Sequence, residues 1–227
     1  INNVNPIYYA YSKLYVYSLQ DKPFLHVDGD TYIFDKLPID YKNSDLVCQS
    51  YEYNFSFYGK VLKQVCENLN NLPIEIYNYN SENFQAINAG IIGGKDVFFF
   101  KQLFLLVNDI FKNNDINSNT IDLERYNVLM EQFYFYMLAK KNNLKIERLI
   151  NSNISENFKE LTQFHLTPCY NSYIHLISFS KRQYLHFLQL ECRLKKEFPE
   201  TFNHINLVYN NSNTQKNNSF KDNINHF

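Results

Sequence analysis

Two acidic residues, Asp28 and Asp30, stand one residue apart at the end of a short apolar run. The flanking runs, FLHV at 24–27 and TYIF at 31–34, both favour β-strands. Asp and Gly are disfavoured inside strands, so Asp28-Gly29-Asp30 marks a break at a strand end. Two carboxylates at this spacing repel each other unless a cation lies between them, and Mg²⁺ and Mn²⁺ prefer oxygen ligands. The segment predicts a site for a divalent metal and a diphosphate, although a lone D-x-D triplet also occurs in ordinary turns.

The composition is that of a folded domain with balanced charge. Of the 227 residues, 45% are hydrophobic, and 20 Phe and 19 Tyr can fill a sizeable core, which excludes global disorder. The 22 basic and 23 acidic residues leave a net charge of −1 without a basic stripe, so nucleic acid is not an expected partner. The 4 cysteines form no C-x-x-C pair, which favours free thiols in a reducing compartment. No apolar stretch reaches 18 residues, and we expect a cytoplasmic protein, with membrane association left open.

Helical and strand patterns alternate along the chain. Besides the segment around Asp28, helices are predicted over 7–15, 61–69, 95–111, 121–141 and 180–197, and strands over 46–53, 145–150 and 173–177. Asn119-Thr120 and Ser180 are the expected caps of the last two helices. Three of the 5 glycines lie within 87–94, INAGIIGG, which predicts a tight turn or a close approach to the backbone. We expect a single α/β domain with a mixed sheet over 1–209, followed by an Asn/Ser/Lys-rich flexible tail over 210–227.

Four runs of the sequence, in their order and spacing, resemble the signature blocks of glycosyltransferases with the GT-A fold. They are PFLHVDGDTYIF, INAGIIGG, MEQFYFY and HLISFSK, and they fall within roughly residues 6–190. The pattern is similar to that of the family 8 nucleotide-sugar transferases, and nearest to a bacterial group with PFLHIDGD-type runs. The resemblance implies a GT-A-like, Rossmann-like mixed sheet flanked by helices. Few residues precede Asp28, so either further N-terminal strands lie upstream or the protein is a degenerate relative of the family. The start at Ile1 favours strands upstream.

The resemblance assigns a metal and diphosphate site to particular residues. Asp28 and Asp30 match the D-x-D carboxylates that hold Mn²⁺ or Mg²⁺. His175 matches a third metal ligand in the family pattern His-x-x-Gly-x-x-Lys, and Lys181 matches the lysine that meets the donor diphosphate. Ser178 stands where the pattern has Gly, which leaves the geometry of this loop open.

The resemblance also implies residues around the donor. Gly29 belongs to the D-x-D run, and Asn88, Ala89 and Gly90 match an Asn-Ala-Gly run beside the donor sugar. Lys13 matches a basic residue that reaches the donor from the preceding helix.

A helix facing the donor sugar is implied to carry the catalytic pair. Glu131 and Gln132 correspond to an Asp-Gln pair there, Glu131 as base, nucleophile or electrostatic partner and Gln132 as the residue that positions hydroxyls. Ordinary roles stay open: Glu131 on a solvated helix face, and His175 as a hydrogen-bonded core residue. His26 is expected to pack within its strand rather than to bind a ligand.

The expected function is metal-dependent transfer of a sugar from a nucleotide-diphosphate donor. A hexosyltransferase using a UDP-sugar is favoured, and the acceptor, whether glycan, lipid or peptide, is unknown. A haloacid-dehalogenase-type phosphatase remains an alternative because it also places D-x-D after an apolar strand, although Tyr32 stands where that class has Thr or Val. A non-catalytic GT-A-like binding domain is the other alternative.

Overall fold

The helices and strands of the chain follow the predicted alternation. A computed structural model describes residues 5–78, 84–116, 118–151, 153–155 and 172–209. The helices are α1 (Tyr9–Ser18), α2 (Ser56–Asn68), α3 (Ile74–Tyr77), α4 (Val97–Asn113), α5 (Leu123–Val128), α6 (Tyr134–Lys141), α7 (Tyr184–Glu197) and α8 (199–209). A π-helical turn (Leu129–Phe133) joins α5 to α6, and a 3₁₀ turn (Ser178–Arg182) precedes α7. The strands are β1 (Phe24–Val27), β2 (Thr31–Ile33), β3 (Leu46–Tyr53), β4 (Gln85–Gly94), β5 (Ile146–Arg148), β6 (Asn153–Ser155) and β7 (Tyr173–His175).

Five of the strands form one mixed sheet with the order β1-β4-β3-β5, and β6 also pairs with β3. The β1–β4 and β3–β4 pairs are antiparallel, whereas β5 and β6 run parallel to β3. The remaining strands, β2 and β7, form a separate antiparallel pair in which Thr31 lies opposite His175. The Asp28-Gly29-Asp30 segment therefore connects the large sheet to the small one, and β7 brings a distant part of the chain to its side.

The core lies between the large sheet and the helices that pack against it. Strand β4 is buried at every position from Ala86 to Gly94, because α6 and the π-helical turn cover it. Helix α1 packs on α4, and aromatic residues such as Phe99, Phe100 and Phe135 fill the space between the elements. Each such side chain contributes about 1.5–3 kcal/mol when fully buried, so this core fixes the strand ends from which the polar residues project.

The structure corrects several predicted boundaries. Run 87–94 is not a turn but part of the central strand β4. The close approach is confirmed, since a Cβ atom on Gly93 would lie 2.1 Å from the Phe24 carbonyl oxygen. Helix α5 is capped by Asp122, whose side chain accepts a hydrogen bond from the Arg125 N–H, and not by Asn119-Thr120. Ser180 lies inside the 3₁₀ turn rather than at the start of α7.

The mixed α/β class is confirmed, while the GT-A assignment stays a prediction. The predicted tail, 210–227, lies outside the described residues. Within the described part of the chain, no helix has both the length and the apolar character needed to cross a bilayer.

Candidate functional site

Four side chains from three chain segments meet at the junction of the two sheets, and we call them the strand-end cluster: Asp28, Asp30, His175 and Lys181. The ligand atoms of Asp28, Asp30 and His175 all lie within 4.8 Å of one another. Backbone hydrogen bonds fix the two aspartates, since the Asp28 N–H donates to the Gly90 carbonyl and the Leu176 N–H donates to the Asp30 carbonyl, both at 2.9 Å.

Cationic and hydrogen-bonding groups surround both aspartates. Lys13 Nζ lies 2.7 Å and His26 Nε2 lies 3.0 Å from Asp28 Oδ1. Lys181 Nζ lies 2.5 Å from Asp30 Oδ2. Partial burial alone would raise the pKa of each carboxyl, but the contacts of Asp28 with His26 and Lys13, and of Asp30 with His175 and Lys181, outweigh it and lower both pKa values. Both side chains are therefore carboxylates at neutral pH.

The orientation of His175 depends on two residues of the large sheet. Its Nδ1 lies 2.8 Å from the side-chain oxygen of Gln49, which can only accept a hydrogen bond, so Nδ1 carries the hydrogen. A Cβ atom on Gly90 would lie 2.1 Å from the same Nδ1, so the imidazole occupies space that only glycine leaves free.

The other nitrogen of His175 faces a carboxylate. Nε2 lies 3.3 Å from Asp30 Oδ1. With the hydrogen on Nδ1, Nε2 is the nitrogen that can bind a metal ion shared with the carboxylate. Two carboxylates and an imidazole oriented through its second nitrogen are a donor set that suits Mn²⁺ or Mg²⁺.

Lys13 connects the strand-end cluster to a buried carboxylate. Its Nζ lies 2.7 Å from Glu131 Oε1, which also accepts a hydrogen bond of 2.9 Å from the Tyr17 hydroxyl. Glu131 is only 5% exposed, so the solvated-face alternative is wrong. Burial raises the pKa of Glu131, and the charge of Lys13 offsets part of this effect. Burial would lower the pKa of Lys13, but the charges of Glu131 and Asp28 outweigh it and raise that pKa.

A second group of polar residues, which we call the buried acid cluster, lies beside the first: Glu52, Asn88, Tyr58 and Gln132. Glu52 Oε1 accepts from Asn88 Nδ2 at 2.8 Å, and Oε2 accepts from the Tyr58 hydroxyl at 2.6 Å. Because the Tyr58 hydroxyl gives its hydrogen to Glu52, it accepts from Gln132, whose amide nitrogen then also reaches the Ile87 carbonyl at 3.2 Å. Glu52 is 4% exposed, and burial raises its pKa.

A model of one protein family, described as a family of unknown function (DUF6734), matches residues 1–208. The chain belongs to this family. No curated protein and no solved structure matches the chain. Because the family description names no activity, the function is inferred from the geometry of the two clusters.

The structure brings most of the predicted site residues together. The strand-end cluster contacts Lys13 directly and Glu131 through Lys13, and Asn88 and Gln132 lie in the neighbouring buried acid cluster. The Ala89 side chain packs in the hydrophobic core, because successive strand residues point to opposite faces, so only its backbone could meet a donor.

Gly29 and Ser178 are the two positions, within the chain segments that carry the strand-end cluster, at which the family pattern involves a glycine. Gly29 is exposed, with nothing within 4 Å of a Cβ atom placed on it, so no close approach requires a glycine there. Ser178 has a φ of 51°, the left-handed conformation that glycine adopts easily. The loop thus keeps a glycine-like backbone with a serine in it.

Other members of the site were missed. His26 was expected only to pack in its strand. Its ring does pack on Tyr17, 5.0 Å between centroids, but its Nε2 also contacts Asp28. Glu52 and Gln49 lie on the predicted strand 46–53 without any motif around them, and only the presence of polar residues in an otherwise apolar strand could have indicated them.

Proposed function

We propose that this protein is a metal-dependent glycosyltransferase of the hexosyltransferase class, which moves a sugar from a nucleotide-diphosphate donor, with a UDP-sugar favoured, to a hydroxyl-bearing acceptor. One observation carries the proposal: the two ionised aspartates and the oriented imidazole of the strand-end cluster converge from separate chain segments within 4.8 Å. A lysine that could meet a phosphate stands beside them.

The strand-end cluster offers each group that a diphosphate donor needs. Asp28, Asp30 and His175 would hold Mn²⁺ or Mg²⁺, which when bound neutralises the diphosphate as it leaves the sugar. Lys181 is half exposed, so its ammonium can turn from Asp30 to a phosphate oxygen without crossing a packed region. A cation positioned where negative charge develops stabilises the transition state.

Two residues next to the strand-end cluster would have further roles, one in positioning a lysine and one in contacting the substrate. Glu131 contacts Lys13 and Tyr17, and we therefore assign it a positioning role: it holds Lys13 against Asp28. Gln132 lines a cleft together with Glu52 and Asn88, where it can contact substrate hydroxyls.

Calorimetry with the full chain tests this function. A panel of UDP-sugars and GDP-sugars is titrated with and without Mn²⁺. We expect binding of at least one donor that requires the metal and weakens at least 100-fold in Asp28→Ala and Asp30→Ala. Asp21→Asn, which changes an exposed aspartate before β1, should bind like the wild type.

Two results would contradict the proposal. The first is an absence of metal-dependent donor binding by the wild type across the whole panel. The second is turnover of an aryl phosphate that Asp28→Asn abolishes, which would favour a phosphatase of the haloacid-dehalogenase type.

A further inference from the structure

A cleft of about 480 Å³ opens beside the strand-end cluster, and nothing in the sequence pattern indicated its most buried acid. Its polar side carries Glu52, Asn88 and Gln132, and its apolar side includes Phe57. The volume is within the usual range for small-molecule sites. Such sites combine apolar walls with a few fixed polar groups, and this cleft has both.

The polar side of the cleft has unused hydrogen-bonding capacity. Each carboxylate oxygen has two lone pairs. Glu52 Oε1 receives one hydrogen bond from Asn88, whereas Oε2 receives one from Tyr58 and also lies 3.3 Å from the Gln132 amide nitrogen. The Asn88 amide nitrogen has two hydrogens and gives one to Glu52. One acceptor position on Glu52 Oε1 and one Asn88 donor therefore remain for a ligand, and these groups are held by their other bonds.

The rest of the cleft lining combines apolar side chains, such as the half-buried Val128 and Ile177, with a guanidinium. The Arg125 guanidinium lies 4.9 Å from the centre of the Phe57 ring, which also packs on Tyr58. Arg125 is exposed and belongs to the cleft lining, and in the described part of the chain it forms no ion pair. Apolar side chains, a carboxylate–amide pair and a guanidinium together match a ligand with one apolar face and several hydroxyls.

The cleft and the strand-end cluster share two backbone segments. Gly90, which abuts His175, follows Asn88 by two residues, and the Gly90 N–H donates to Asn88 Oδ1 at 3.1 Å. Ser178 lines the cleft three residues after His175. A ligand in the cleft therefore lies next to the position proposed for the diphosphate.

We propose that this cleft binds a hydroxylated sugar ring and that Glu52, rather than Glu131, is the carboxylate that contacts its hydroxyls. The ligand class rests on the proposed function, and the residues rest on the cleft geometry. Glu131 is not part of the cleft lining, and its Oε1 is already bound by Lys13 and Tyr17.

Saturation-transfer NMR on the full chain tests this inference. The probes are methyl glucosides and methyl galactosides alone, and UDP-glucose, UDP-galactose and UDP with Mg²⁺, which unlike Mn²⁺ does not broaden the signals. We expect saturation of sugar-ring protons in the wild type and a loss of at least fivefold in Glu52→Gln. Glu67→Gln, an exposed change on α2, should keep the wild-type signal. Signals from the free glycosides would identify a separate acceptor sugar, and signals only from UDP-sugars would identify the sugar of the donor.

The outcomes separate this inference from the proposed function. Saturation of the uridine protons without saturation of any hexose-ring protons would overturn the cleft assignment and leave the donor site intact. Saturation of hexose-ring protons without metal-dependent binding of uridine would count against the transferase and would support the assignment of the cleft as a sugar site. Wild-type signals in Glu52→Gln would overturn the role of Glu52. If Glu52→Gln does not fold, as judged by circular dichroism, the exposed Arg125 of the cleft lining is changed instead. Arg125→Ala should reduce the saturation of hexose-ring protons at least threefold, and a wild-type signal in this variant would overturn the cleft assignment.

Discussion

The strand-end cluster and the buried acid cluster use carboxylates in opposite ways. Asp28 and Asp30 are partly exposed and surrounded by Lys13, Lys181 and histidines, and their pKa values are lowered despite their burial. Glu52 is almost fully buried among neutral groups, and burial raises its pKa. The two sites are adjacent in the fold, so the difference lies in their immediate surroundings.

This difference indicates which ligand each cluster can bind. A carboxylate kept ionised by cations can exchange one cation for another, which suits a metal site. A carboxylate held by an amide and a phenol keeps acceptor capacity that the hydroxyls of a neutral ligand can fill. A sugar diphosphate needs both environments, one at each end.

Among substitutions that remove no metal ligand, Gly90→Ala should have the largest effect, because it displaces His175 within the strand-end cluster. The new methyl group would lie 2.1 Å from His175 Nδ1 and 2.6 Å from Gln49 Oε1, so the imidazole has to leave its position. Loss of an orienting contact around a metal ligand typically lowers affinity 10–100-fold. Calorimetric titration with Mn²⁺ should show a decrease of this size.

Gly29→Ala is the matched control for Gly90→Ala. It also adds one methyl group to the site region, but nothing lies within 4 Å of it. Its Mn²⁺ affinity should equal that of the wild type. Equal affinities in Gly90→Ala and the wild type would show that His175 does not bind the metal.

The two halves of the strand-end cluster were predictable from the sequence, because each is a short pattern within the chain. Asp28 and Asp30 are separated by one residue, and the spacing of His175 and Lys181 followed a known pattern. The contacts of Lys13 with both Asp28 and Glu131 were not predictable, since they depend on how α1 packs against the π-helical turn. Pairing of β2 with β7 likewise joins segments far apart in the sequence.

Asn88 and Gln132 of the buried acid cluster were predicted, but its acid, Glu52, was missed for a physical reason. Burial alternates at this end of β3, where Glu52 is buried and its neighbours Tyr51 and Tyr53 are half-buried. Which of the two faces is covered depends on how β3 is placed in the sheet, which strand pairing decides and local sequence does not. For the glycine-rich run, the sequence left a tight turn and a close approach open, and its place in the central strand β4 decides for the close approach.

Glu52→Gln should change how the free energy of unfolding depends on pH. This effect is smaller than that of Gly90→Ala, and it tests the buried acid cluster. The folded-state pKa of Glu52 is raised, so wild-type stability is greatest below the unfolded pKa and decreases as pH rises through the folded pKa. Gln does not titrate, and any hydrogen bond that it loses is independent of pH. The melting temperature of Glu52→Gln relative to the wild type should therefore rise between pH 4 and pH 8, by about 2–4 °C for each kcal/mol of ionisation cost.

Asp30→Asn provides the opposite case in the same measurement. Its folded-state pKa is lowered, so the stability that Asp30 contributes is present above its unfolded pKa and is lost as pH falls through the folded pKa. The advantage of the wild type over Asp30→Asn should thus shrink on acidification. If both variants changed in the same direction with pH, the contrast between the two environments would be wrong.

Ser178→Gly should have the smallest effect, at the loop where the two environments meet. A non-glycine residue in the left-handed region destabilises the folded state by about 1–2 kcal/mol. Glycine avoids this cost, but its greater freedom in the unfolded chain offsets about 0.5–1 kcal/mol of the gain. Ser178 is exposed and has a φ of 51°, so the substitution should stabilise the fold by about 1 kcal/mol or less. Thermal unfolding measures the gain.

Asn143→Gly, at a φ of 53°, is the comparison for this last change. Asparagine tolerates the left-handed conformation better than serine, so its gain should be smaller. Mn²⁺ affinity should be unchanged in Ser178→Gly, because the backbone between His175 and Lys181 already has the conformation that glycine prefers. A loss of Mn²⁺ affinity would instead mean that the serine side chain, and not only the backbone shape, holds the strand-end cluster together.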